Sequence, residues 1–130
     1  MNELLKVNYD SNRITLSARE LHEFLEIGTK YQDWIKRMFE YGFNENIDYR
    51  LVTQKRETNN PKNPYTTYTD HEITIEMAKE ISMLQRNEKG KQARHYFIEL
   101  EKKWNSPEFV MNRALQISKK QVEKLMLENQ

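Results

Sequence analysis

Residues 17–20 and 29–32 carry the same helix-start signature, and Gly28 stands between them. In Ser17-Ala18-Arg19-Glu20 the Ser hydroxyl can accept from the N3 amide while Glu20 reaches back to the N-cap amide. Thr29-Lys30-Tyr31-Gln32 repeats that capping box. The first helix puts Ala18, Leu21, Phe24 and Leu25 on one stripe. It is expected to stop near residues 26–27, with Gly28 taking the left-handed position after the cap. The second helix places Tyr31, Trp34, Ile35, Met38 and Phe39 at i, i+3, i+4, i+7 and i+8, a strong amphipathic pattern. It ends at Gly42, with Phe43 where a Schellman motif takes an apolar residue. Residues 18–41 therefore commit the chain to a short helix–turn–helix.

A β region follows. Ile47, Tyr49 and Leu51 alternate with Asp48, Arg50 and Val52, and the Tyr- and Thr-rich segment 65–73 reads as the return strand. Residues 53–64 are polar, with Asn59-Asn60-Pro61 and Asn63-Pro64, and read as a long, mobile hairpin tip. Residues 3–7 and 13–16 suit short additional strands. Thr74 is placed to cap a helix carrying Met77, Ala78, Ile81 and Leu84. Asn87 is placed to cap another, whose stripe is Ala93, Tyr96, Phe97, Leu100 and Trp104. Gly90 sits in its first turn, where a helix former is expected. Ser106-Pro107-Glu108 starts a last helix with Ser at N-cap, Pro at N1 and an acid in the first turn. Met111, Leu115, Ser118, Val122 and Leu125 are spaced 4, 3, 4, 3 along it. That spacing is a heptad seam suited to pairing with a second chain; a helix packed on its own domain is the alternative. The expected fold is α+β: a winged-helix-like helix-turn-helix with a β-hairpin wing, then helices, then an extended C-terminal helix. Residues 1–105 form the domain, and residues 106–130 form a helical linker or oligomerisation helix.

The chemistry of most function classes is missing. There is no Cys, so disulfide scaffolds, zinc-thiolate sites and Cys nucleophiles are excluded. No apolar run exceeds three residues, whereas a membrane span needs about 20. The start of the chain has no apolar signal-peptide core, so the cytoplasm is the expected compartment. The 3 Gly are too scattered for a phosphate-cradling loop. The 3 His make no paired metal motif. Asp70-His71-Glu72 gathers ligand-type groups, but neighbours on a strand point to alternate faces. His22 reads as a surface helix residue. Neither metal, cofactor nor catalysis is called for.

A binding role has more to rest on. The net charge is only +1, yet its distribution is uneven. Residues 1–49 balance at −3, residues 50–69 at +3 and residues 86–95 at +3. On the second helix the apolar stripe leaves Lys30, Asp33, Lys36 and Arg37 outward; of these the cations Lys30, Lys36 and Arg37 suit DNA, and the hairpin adds Arg50, Lys55, Arg56 and Lys62. Helix-turn-helix proteins read base edges with their second helix, and wings add Lys/Arg contacts to phosphate. These seven cations form the candidate DNA-binding set. An ordinary helical hairpin beside a β-ribbon fits the same spacing. Arg86, Lys89, Lys91 and Arg94 form a second candidate surface for an anionic partner, because cations at a helix start oppose its dipole. Salt bridges to Glu76, Glu80 or Glu88 are the alternative.

Several ordered motifs also resemble the AntA/AntB family of phage antirepressors, over roughly residues 14–103. In the first half these are Ser17 through Leu25, Tyr31-x-x-Trp34-Ile35, and Phe43 through Ile47-Asp48-Tyr49. In the second half they are Ile73 through Glu80, Arg86 through Arg94, and Tyr96-Phe97-Ile98 to Glu101. His71 departs from the pattern, standing where the family tends to carry an aromatic residue. The resemblance implies a temperate-phage or prophage regulator that acts against a lysogeny repressor in the bacterial cytoplasm. It also implies a separate C-terminal domain beyond this one. Related domains of phages and large DNA viruses are associated with DNA binding. The partners expected are double-stranded DNA of the phage regulatory region, the repressor protein, or both, with the chain acting as a homo-oligomer. A module that binds the repressor and never touches DNA is the rival, favoured by the acidic first third.

Overall fold

A computed structural model describes residues 4–9 and 13–128 of the chain. Four strands, β1 (Val7–Tyr9), β2 (Ile14–Ser17), β3 (Tyr49–Glu57) and β4 (Tyr65–Thr74), form one antiparallel sheet in the order β1-β2-β4-β3. Five helices accompany them: α1 (Ala18–Phe24), α2 (Tyr31–Phe39), α3 (Ile75–Leu84), α4 (Glu88–Trp104) and α5 (Pro107–Glu128). The fold is α+β. The first two strands begin later than the sequence suggests, at Val7 and Ile14, and part of the expected first strand lies outside the described residues.

Three helix starts follow from local chemistry. The Ser17 hydroxyl accepts from the Glu20 amide, Thr74 from Met77 and Asn87 from Gly90. The second capping box does not form. Lys30, not Thr29, is the N-cap of α2, and its side chain makes no cap bond. The Thr29 carbonyl instead accepts a bond from His22 Nε2 at 2.7 Å. The turn between α1 and α2 also differs. Glu26 takes the left-handed conformation at φ 55, and Gly28 does not. Leu25, fully buried, fixes the last turn of α1, so the chain must reverse one residue later. An exposed side chain accepts the left-handed region there at a cost of about 1–2 kcal/mol. Gly42 does reverse the chain after α2, at φ 101, and Phe43 packs half-buried against the core.

One core holds the elements together. Ile14 and Leu16 of β2 and Ile73 of β4 meet Leu21 and Leu25 of α1, Met77 and Ile81 of α3, and Phe97 and Leu100 of α4. Each such side chain contributes about 1.5–3 kcal/mol by leaving water. Tyr31, Trp34 and Ile35 bury the inner face of α2, with Met38 and Phe39 half-buried beside them. Leu84, expected in the α3 stripe, is exposed, and Trp104 is only half-buried. Ile47 lies in the turn before β3 and is also exposed.

The paired part of the hairpin is longer than its polar sequence suggests. β3 and β4 pair continuously from Tyr49↔Ile73 to Glu57↔Tyr65, so residues 53–57 are strand and only 58–64 are loop. The loop is pinned locally: Thr58 N donates to the Pro64 carbonyl, Lys62 N to Asn60 Oδ1 and Asn63 N to the Asn60 carbonyl. β2 pairs with β4 only at residues 72–74. The pairs from Thr53↔Thr69 outward therefore project as a two-stranded arm of about 17 Å.

Gly90 has a tertiary reason. A Cβ there would stand 2.1 Å from the Gln85 carbonyl oxygen and 2.9 Å from that of Ser82, both main-chain atoms. The α3–α4 turn closes only over a bare Cα. Gly90→Ala should therefore lower stability by about 1–3 kcal/mol despite the better helix former. Urea denaturation measures this, and an unchanged midpoint would show that the turn yields.

Candidate functional site

The root of the hairpin arm is built on Asp70, which is only 2% exposed. Past the end of β2, the open edge of β4 meets the start of α1. Ser17 Oγ donates to Asp70 Oδ2 at 2.5 Å, and the Arg19 amide donates to Oδ1 at 3.1 Å. The His71 amide donates to the same Oδ1 at 2.7 Å. A helix N-terminus and charge-assisted bonds are what a buried carboxylate requires.

Arg19 lies over this junction. Its Nε donates to the Thr69 carbonyl at 2.5 Å, capping the free edge of β4. Its guanidinium lies 4.3 Å from the Tyr31 ring centre and 5.3 Å from that of Tyr68. Arg56 stacks on Tyr68 at 4.6 Å. Two arginines and two tyrosines thus alternate between α1, α2 and the arm. Beside them runs an open groove lined by Lys6, Asn8, Gln54, Glu20 and Glu23. Arg19 was not among the expected site residues. Its signal was a cation in the first turn of a helix, where the dipole disfavours it.

The register divides the expected DNA-binding set. Arg50 and Arg56 lie on one sheet face, with Tyr68 and Asp70, while Lys55 lies on the other, with Tyr49 and His71. Arg50 is ion-paired with Glu72 at 3.0 Å. Lys62 is in the tip loop. Lys30, Lys36 and Arg37 are exposed on α2, and Arg37 borders a shallow cleft with Glu40 and Tyr41. The set therefore occupies two sides of the sheet.

Asp70, His71 and Glu72 all have structural partners. His71 stands in an aromatic group, 5.2 Å from Phe39 and 6.0 Å from Tyr49 between ring centres. Phe39 stacks on Tyr49 at 4.0 Å, which fixes α2 to the sheet. The imidazole occupies an aromatic position, which accounts for its place in the chain. His22 is not a surface residue: it packs on Tyr31 and Trp34 between α1 and α2. Burial holds the His71 imidazole below the usual histidine range and raises the Tyr31 phenol far above its own. Both groups are neutral at pH 7, so the Tyr31 hydroxyl donates to His71 Nδ1 at 2.6 Å.

Along 86–94, Arg86 and Lys91 are exposed, while Lys89 lies 5.1 Å from the Phe24 ring centre. Arg94 is half-buried, and its Nε has no hydrogen-bond partner. Among the described residues none of the four forms a salt bridge; Lys79 pairs with Glu101 instead. On α5 no side chain is buried. Arg113 covers Trp104 at 3.7 Å, and Phe109, Gln116 and Lys120 line the same groove. At about 100° per residue, Met111, Leu115, Ser118, Val122 and Leu125 fall on the opposite side, away from the domain. Among the described residues no helix is long and apolar enough to cross a membrane.

The AntA/AntB antirepressor family model matches residues 16–87, more than half of the chain. The chain belongs to that family, which is regulatory, non-enzymatic and tied to phage. The matched span runs from β2 through α3 and stops before α4. No curated protein and no solved structure matches.

The lowered His71 pKa has a consequence for stability. The unfolded chain takes up a proton at the ordinary histidine value, before the native state does. Stability should fall as pH drops through about 6.5 and level off below the native value. Urea midpoints at about pH 7.5 and 5.5 test this: His71→Phe should show a smaller drop than the parent, and equal drops would refute the assignment.

Proposed function

We propose that this chain is the DNA-binding regulatory module of a phage antirepressor, used in winged-helix fashion. Its helix-turn-helix is α1–α2 and its wing is the β3–β4 arm. The observation that carries this reading is the projecting arm itself. Among the described residues Lys55 and Lys62 extend from the body without a carboxylate partner, as does Arg56, which stacks on Tyr68, and Lys30, Lys36 and Arg37 are exposed at α2. Exposed cations of this kind, Lys55, Lys62, Lys30, Lys36 and Arg37 above all, are what phosphate contacts require. Arg50 contributes less, since Glu72 already neutralises it. Arg86, Lys89, Lys91 and Arg94 form a second surface for an anionic partner in this reading.

The rival is a module that binds the repressor protein alone. The groove at the arm's root favours it, because Glu20 and Glu23 line it beside the arginines. Salt separates the two. Binding to phage regulatory duplex should weaken steeply between about 50 and 200 mM salt, by about 0.9 log units per phosphate contact and log unit of salt. Lys36→Gln with Arg37→Gln should flatten that slope by roughly two contacts. A flat slope in the parent protein, or no binding near about 50 mM salt, would remove the phosphate-contact reading and favour the rival.

The α5 seam points away from its own domain, and two such seams are self-complementary. In our reading α5 pairs with a second copy and so sets two arms on one duplex. Two heptads hold weakly, so the association should depend on concentration. Light scattering of the full chain should show a dimer that Leu115→Glu with Val122→Glu converts to monomer. A monomer in the parent at every concentration would remove the claim.

A further inference from the structure

We propose that the DNA sequence is read by one face of the β3–β4 arm, lying in the major groove, rather than by α2. This rests on the DNA-binding reading above and adds the element and side chains that distinguish bases. The arm is a two-stranded ribbon beyond the end of β2. Its strands lie about 4.8 Å apart, and the major groove, about 12 Å wide, admits such a ribbon.

The register selects the face. Thr53 stands opposite Thr69, and Lys55 opposite Thr67. This face continues inward to Leu51, His71 and Tyr49, and the last two pack on Phe39 of α2. The plate of Thr53, Lys55, Thr67 and Thr69 therefore lies on the same side of the sheet as α2. All four are exposed, and among the described residues none of these side chains has a hydrogen-bond or ion-pair partner. Their chemistry suits base edges. Lysine donates to guanine O6 and N7, and threonine offers a donor, an acceptor and a methyl for thymine. Glu57, further out on the same face, can accept from cytosine N4.

The other surfaces are less suited. On the opposite face of the arm, Arg56 is committed to Tyr68, and the groove beneath carries Glu20 and Glu23, which repel phosphate. On α2 the first turn would have to meet the bases, yet Tyr31 is buried there and Asp33 faces outward. Lys36 and Arg37, in the last turn of α2, are placed for the backbone beside the groove.

The test begins with selection of a randomised duplex library by the full chain, followed by anisotropy binding to the selected and to a scrambled duplex. Thr53→Val with Thr67→Val keeps shape and strand preference but removes both hydroxyls. It should cut the selected-over-scrambled ratio about tenfold or more, with scrambled binding and melting temperature nearly unchanged. Lys55→Gln should move one selected position from G·C towards A·T, a change that altered packing alone does not produce. Lys36→Gln with Arg37→Gln should weaken both duplexes alike and keep the ratio. If the α2 variant collapses the ratio while the arm variants keep it, α2 is the reader and the proposal fails. If the parent binds duplex with a steep salt slope but selects no motif, the proposal fails and the DNA-binding reading stands. If the parent binds no duplex at all, both fail.

Discussion

A carboxylate taken out of water costs several kcal/mol unless it is compensated, and the compensation of Asp70 ties the start of α1 to β4. Ser17 and the Arg19 amide come from the start of α1, and the strand supplies the His71 amide. Tyr31, at the start of α2, gives its one hydroxyl proton to His71 Nδ1 at 2.6 Å, so α2 is held through the imidazole next to Asp70 and not by the carboxylate itself. Satisfying one charge therefore fixes the entry of α1 against β4, and the Tyr31–His71 bond beside it holds α2 to the same strand. Ser17 serves twice, accepting from Glu20 to start the helix and donating to Asp70 to dock it. Without this junction the open edge of β4 beyond residue 72 would have no neighbour on that side.

From that point the chain divides into a packed half and a projecting half. Inward of residue 71, strand rows carry Ile73, Leu16 and Ile14 against the helices. Outward of it, the arm carries Thr, Lys and Glu on one face and Gln, Arg and Thr on the other, and Tyr65 and Tyr68 supply its aromatic surface. Burial cannot hold such a ribbon, so its ladder and its tip turn must. The stacks of Arg19 and Arg56 on Tyr68 stiffen its root, each worth about 0.5–1 kcal/mol where exposed. An arm stiff at its base and polar along its length is matched to a polar partner.

Much of this was legible in the residues. The stripe Tyr31, Trp34 and Ile35, the caps at Ser17, Thr74 and Asn87, and the hairpin itself follow from short-range rules. The misreadings have a common cause. Thr29 has the right neighbours for a capping box, but His22 claims its carbonyl across the turn. Gly28 is the residue freest to reverse the chain, but the burial of Leu25 places the reversal at Glu26. Residues 53–57 read as loop because no apolar alternation marks them, yet strand β4 supplies a partner for each. Of the candidate site, the cations were visible as residues, but not their division between two faces.

The sequence alone determined what depends on neighbours within about one helical turn: where helices begin, which of their faces are apolar, and that cations gather at 50–62 and 86–94. Hydrogen bonds between residues three apart, such as Asn87 with Gly90, need no knowledge of the rest of the chain. The tertiary structure decided everything that joins distant residues. It gave Arg19 the Thr69 carbonyl 50 positions away, placed His71 among the rings of α2 and β3, and made Gly90 necessary through the Gln85 carbonyl. It also set Lys55 and Arg56 on opposite faces, because strand register follows from where the core closes and not from the charged residues themselves.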